Sequence, residues 1–106
     1  MYKLYYLPIA RQDVEDIIHY VSYNLNNLSA AKNLANYFVE SAENILCFPY
    51  GFSVYDISGE LKKEYRKIKV KNYYMFYTID EDSKTITIVR VIYKKMNLID
   101  IFKSEV

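Results

Sequence analysis

Residues 64–80 read EYRKIKVKNYYMFYTID. Ile68 and Val70 alternate with Tyr65, Lys67 and Lys69, the period-two pattern of a strand with one apolar face and one cationic face. Asn72 marks a tight connection, and residues 73–79 form a second, aromatic-rich strand. Cations and tyrosines on two adjacent strands make either a solvated sheet surface or a floor for an anionic partner.

Working outward, DEDS at 80–83 is a turn that leads into a third strand over residues 85–93. The segment FPYGFSVYDISGE (48–60) has no clean period and reads as a loop with at most a short strand or turn. Before it, apolar residues recur with helical spacing at Ala31, Leu34, Ala35, Phe38, Ala42, Ile45 and Leu46, with Ser29 as the expected N-cap and an end before Pro49 and Gly51. An earlier helical stripe runs through Ala10, Val14, Ile17, Ile18, Val21 and Leu25. Asp13, Glu15 and Asp16 near its start suit the helix dipole, and NLNN at 24–27 breaks it. YKLYYL at 2–7 is a short strand ended by Pro8. The order β-α-α-β-β-β predicts an α+β fold, an αα-hairpin packed on one face of a small, twisted, mainly antiparallel sheet whose other face is at least partly open.

With 106 residues, two glycines and two prolines, the chain is expected to be one ordered domain over 1–106. Thirteen tyrosines and no tryptophan imply half-buried faces or an interface. The net charge of +1 conceals an asymmetry: residues 1–60 carry three basic and seven acidic side chains (−4), and residues 61–106 carry eleven and six (+5). The second half is therefore the candidate surface for an anionic partner. The single cysteine, Cys47, excludes an internal disulfide, and its apolar neighbours predict a buried, unreactive thiol. No apolar run approaches a membrane span and no signal peptide is visible, so the expected compartment is the cytoplasm. There is no metal-ligand spacing, phosphate loop or Ser/His/Asp set, and no cofactor is expected; His19 reads as a surface or packing residue.

The string YRKIKVKNYYMFYTID followed by TITIVRVIY resembles the RelE/ParE superfamily of type II toxins, the plasmid-stabilisation type. LPIARQDVEDIIHYV resembles the family's first helix, through Ala10, Asp13, Ile17 and Tyr20; Ala30–Ala31 and Phe48–Pro49 fall at further family positions. The resemblance covers nearly the whole chain. It implies a cytoplasmic toxin neutralised by a small antitoxin. RelE-type members cut mRNA in the ribosome, and ParE-type members inhibit DNA gyrase without nuclease chemistry.

RNA cleavage of the first kind needs no metal. A 2′-hydroxyl attacks the adjacent phosphate, so cations must stabilise the transition state and two proton transfers must be served. The resemblance places Lys67 and Lys69 in the family's basic strand, roughly 7 Å apart by strand rise. Tyr93 and Lys94 fall nearest the later catalytic position, which makes Lys67, Lys69, Tyr93 and Lys94 the candidate catalytic set. Tyr93 would need its pKa lowered far below about 10 to serve. Arg66, Tyr74, Arg90 and Lys95 are the candidate substrate-binding residues. Tyr74 stands where the family has an arginine, and a phenol cannot supply the planar charged fork of a guanidinium. Arg66 shares parity with Ile68 and Val70, and Arg90 with Ile88 and Ile92, so each either closes an internal salt bridge or meets substrate. The expected function is a toxin that inhibits translation by ribosome-dependent mRNA cleavage. The alternatives are a ParE-like, non-enzymatic gyrase inhibitor and a non-toxic relic that still binds an antitoxin.

Overall fold

The computed structural model describes residues 1–55 and 64–96. Strand β1 (Lys3–Tyr6) is followed by helix α1 (Pro8–His19), a π-helical segment (Tyr20–Asn24) and helix α2 (Leu28–Cys47). Strands β2 (Ser53–Tyr55), β3 (Tyr65–Val70), β4 (Tyr73–Asp80) and β5 (Thr85–Tyr93) complete the fold. The sheet order is β1-β5-β4-β3-β2, with β1 parallel to β5 and every other pairing antiparallel. This is the expected α+β arrangement, with both helices on one face and β2 as an added edge strand.

Local chemistry explains most boundaries. Pro8 ends β1 and also opens α1, where its missing N–H would have had no helical partner anyway. The acidic residues expected near the start of α1 lie beyond its first turn, and Asp13 has a different task described below. The cap of α2 is Asn27, whose side chain accepts the Ala30 N–H at 3.0 Å. That is two residues earlier than the serine expected, because asparagine caps as well as serine does and α2 starts as soon as a cap is available. The β3–β4 connection turns at Lys71, which takes a left-handed φ of 56°; few residues other than glycine or asparagine do so.

The main core lies between hairpin and sheet. Leu34, Phe38, Ala42 and Ile45 of α2 meet Val70, Met75, Tyr77, Ile86, Ile88 and Val91 of the sheet. Cys47 is exposed rather than buried: the inward stripe of α2 runs through Phe38, Ala42 and Ile45, and position 47 falls off it. The far face is only partly open, because Tyr55, Tyr65, Phe76 and Ile92 form a second buried cluster there. No helix among the described residues is long and apolar enough to cross a membrane.

Candidate functional site

Register decides which candidates meet. β3 pairs with β4 so that Lys67 faces Phe76 and Lys69 faces Tyr74, while Arg66 faces Tyr77. Lys67, Lys69 and Tyr74 therefore share the far face, and Arg66 points to the helix side, as parity predicted. Tyr93 pairs with Tyr73, and its ring packs 5.8 Å from that ring. Tyr73 in turn meets Phe38 of α2, so Tyr93 belongs to the helix side.

β5 departs from simple alternation. A bulge between the Phe76 and Tyr77 pairs inserts one residue, so Tyr77 faces Ile88 and Phe76 faces Arg90. A one-residue slip exchanges the faces of a strand. Ile88 consequently enters the helix-side core and Ile92 the far-face cluster, although the sequence gives them one parity.

Both candidate arginines are held by the fold. Arg66 donates to the Phe52 carbonyl at 2.8 Å and pairs with Glu64 at 3.2 Å, with its guanidinium 5.1 Å from the centre of the Tyr50 ring. Arg90 makes a two-pronged pair with Asp13, Nε to Oδ2 at 2.8 Å and a terminal nitrogen to Oδ1 at 3.0 Å. Asp13 Oδ2 also accepts the Val91 backbone N–H at 2.9 Å. β1 stops opposite Ile88, so this carboxylate satisfies a β5 edge group that no strand reaches. Asp13 and Arg90 side chains are 14% and 17% exposed.

On the far face, Lys67 Nζ lies 4.5 Å from the Tyr74 ring centre and 5.1 Å from that of Tyr55. Two rings and one ammonium form a cage of the cation–π type. Tyr55 was not foreseen as part of it, because it lies in a segment without periodicity. Lys69 is exposed. Lys94 and Lys95 are exposed past the end of β5, beside the β3–β4 turn, where the Lys94 N–H donates to Asn72 O at 2.9 Å. The eight candidates thus fall on two faces and at one end of the sheet, with Lys67, Lys69, Tyr74 and, by register, Arg90 on the far face.

Several buried or hydrogen-bonded tyrosine hydroxyls are held against proton release. Burial raises Tyr6, Tyr55 and Tyr73, and pushes Tyr77 up to about 12. The buried Tyr77 hydroxyl donates to the Pro49 carbonyl at 2.6 Å. At the β4–β5 turn, Glu81 gathers Lys84 Nζ at 2.6 Å and the hydroxyls of Tyr2 and Tyr50. Those hydrogen bonds, Lys84 first, hold its carboxyl down at about 2, and the same contact holds Tyr50 up at about 12. His19 is exposed and stacks on Tyr23 with centroids 4.5 Å apart. No cluster of metal-ligating side chains occurs among the described residues.

Residues 4–98 match the family described as "ParE toxin of type II toxin-antitoxin system, parDE". No curated protein matches the chain by sequence. Among solved structures, the chromosomal ParDE toxin–antitoxin system of P. aeruginosa superimposes with a TM-score of 0.67 at 18% identity, covering 88% of this chain and 96% of the other. The archaeal RelE–RelB complex of Pyrococcus horikoshii OT3 gives 0.60 at 14%, covering 89% and 96%. The RelBE2 toxin–antitoxin complex of Mycobacterium tuberculosis gives 0.58 at 22%, covering 87% and 96%.

Proposed function

The chain belongs to the ParE toxin family of type II toxin–antitoxin systems, and from that premise we propose that it arrests growth by binding a protein target, DNA gyrase, rather than by cutting RNA. The observation that carries this reading is the scatter of the cleavage set. Lys67 and Lys69 lie on the far face, Tyr93 on the helix side and Lys94 beyond the sheet end. Both guanidinia that could brace a phosphate are held by internal partners. Cleavage needs its cations and its proton carriers around one phosphate, whereas a binding inhibitor needs only a surface.

The cage of Lys67 with Tyr55 and Tyr74, with Lys69 beside it, favours a second reading, in which RNA lies on the far face against the two ammonium groups and the half-buried Tyr74 ring. One pair of assays separates them. Purified toxin is added to DNA gyrase in a supercoiling assay and to translating ribosomes with a labelled mRNA. The expected result is loss of supercoiling with intact mRNA. Cut mRNA with unaffected supercoiling overturns the gyrase reading.

The partner carried over from the family is an antitoxin. A groove of about 400 Å³ between α1, α2 and β1, lined by Tyr6, Val14, Ala35, Phe38 and Val39, is the proposed seat for an amphipathic antitoxin segment.

A further inference from the structure

Two segments of this chain, residues 17–39 and 69–79, contain no aspartate or glutamate. They meet at a second groove of about 400 Å³, between the hairpin tip and the β3–β4 turn, lined by Val21, Leu25, Leu34, Tyr37, Lys71 and Tyr73. Leu25 is 55% exposed and Tyr37 40%. Tyr20, Tyr23 and Leu28 continue the exposed apolar surface over the hairpin tip. Apolar surface gathered in this way on a small domain marks an interaction site rather than scatter. Lys71 Nζ stands 4.3 Å from the Tyr37 ring centre. The Lys94 N–H to Asn72 bond brings Lys94 and Lys95 to the same turn. The result is an apolar groove with a cationic rim, and no acidic residue lines it.

We infer that this groove is the docking surface for an acidic segment of the toxin's target protein, one that carries leucine- or phenylalanine-sized anchors between carboxylates. The inference rests on the protein-target reading above. The apolar lining accepts anchor side chains and excludes water around them. The ammonium rim rewards flanking carboxylates and repels basic sequences, which supplies selectivity. Nucleic acid fits less well: phosphate binding draws on many cations, and the one ammonium inside the groove is already laid against a ring. A second copy of this chain fits less well too, because a two-fold contact would set Lys71 against its own image.

The test uses Leu25→Asp and Lys71→Glu, with Lys71→Arg as the charge-preserving variant. Lys3→Glu, a charge reversal on β1, serves as control. Circular dichroism and thermal melting establish that each variant is folded. Binding to immobilised DNA gyrase, binding to a short DNA duplex, and growth arrest after induced expression are then read. The expected result is that Leu25→Asp and Lys71→Glu weaken gyrase binding by about tenfold or more and relieve growth arrest, while Lys71→Arg and Lys3→Glu stay close to wild type. Groove variants that bind gyrase and arrest growth like wild type overturn the inference and leave the gyrase reading standing. Wild type that arrests growth without binding gyrase, with both groove variants inactive, supports the docking surface and overturns gyrase as its target. Duplex binding that falls in step with growth arrest, with gyrase binding unchanged, overturns the inference in favour of nucleic acid. Wild type that neither arrests growth nor binds gyrase overturns both.

Discussion

On the helix side of the sheet the Tyr77 hydroxyl is held by Pro49 and Arg66 by Phe52, while Arg90, which has the other parity, is held across the β5 edge by Asp13. On the far face, Lys67 rests on the rings of Tyr74 and Tyr55 above a buried aromatic cluster. The same strands supply both faces, and often neighbouring residues do. The difference teaches that the sheet's two guanidinium groups, Arg66 and Arg90, brace backbone and carboxylate, a task that suits a rigid fork of donors. The ammonium groups of Lys67 and Lys71 lie against rings and those of Lys69, Lys94 and Lys95 are exposed, where they can still meet a partner, whereas Lys84 pairs with Glu81.

The sharpest test of this contrast substitutes two neighbours on β4. Met75 points to the helix side and Phe76 to the far face, and each is 0% exposed. If the far face holds a packed core and not a decorated surface, Phe76→Ala destabilises by about 3–5 kcal/mol, comparable to the about 2–5 kcal/mol expected for Met75→Ala. Urea unfolding followed by circular dichroism measures both. A Phe76→Ala cost under about 1 kcal/mol would reduce the far face to solvated surface.

Next in size is the Asp13–Arg90 pair. Asp13→Ala leaves a guanidinium and the Val91 N–H without this acceptor, at an expected cost of about 3 kcal/mol, the lower end for a buried pair because both side chains keep some exposure. Replacing both residues, Asp13→Leu with Arg90→Met, should recover much of that loss, since two apolar groups leave less unsatisfied charge. Urea midpoints of the single and double variants give the coupling. Independent, additive costs would mean that Arg90 is not held by Asp13 in solution.

How far the sequence predicts this arrangement depends on range. β3 alternates cleanly and pairs with β4 by a tight turn, so the faces of Arg66, Lys67 and Lys69 follow from parity alone. β5 alternates only as far as Ile88, after which apolar residues fall on both parities, and Arg90 and Ile92 stand on the face opposite to Ile88 because of a bulge that no glycine marks. The Asp13–Arg90 pair spans 77 positions and is fixed by where β1 ends. Local pattern contains neither fact. Tyr55, which completes the lysine cage, sits in a three-residue strand too short to show a period. The exposure of Cys47 was readable in principle from the phase of α2, and its apolar neighbours in sequence misled because helical neighbours point in different directions.

A smaller effect is expected at the far-face lysine. Lys67→Ala removes a cation from two rings but no buried atom of the core, so the stability change should stay within about 1 kcal/mol. Urea unfolding checks it. A larger loss would mean that Lys67, like the arginines, braces the fold, and the contrast between the two kinds of cation would fail.

The smallest effect lies at Glu81, which is exposed and open to screening by salt. Its carboxyl is held at about 2 in the folded chain against an ordinary value of 4.5, so the folded state binds fewer protons than the unfolded state between those values. Its stabilisation is therefore present in full above pH 4.5 and drains away as pH falls towards 2. Tyr50 mirrors it: its hydroxyl is held up at about 12 against 10.0, so its share persists below pH 10 and is lost as pH rises through 12. The two displacements share one contact, the Tyr50 hydroxyl on Glu81 Oε2, which leads on the alkaline side, whereas on the acid side Lys84 contributes most, then Tyr2, then Tyr50. Glu81→Gln should flatten the acid slope of melting temperature against pH and soften the alkaline slope with it, whereas Lys84→Met should flatten the acid slope in part and leave the alkaline limb standing. A wild-type acid limb that Glu81→Gln leaves unchanged would show that this end of the sheet is not latched, and that the polar closure attributed to the helix side stops short of the β4–β5 turn.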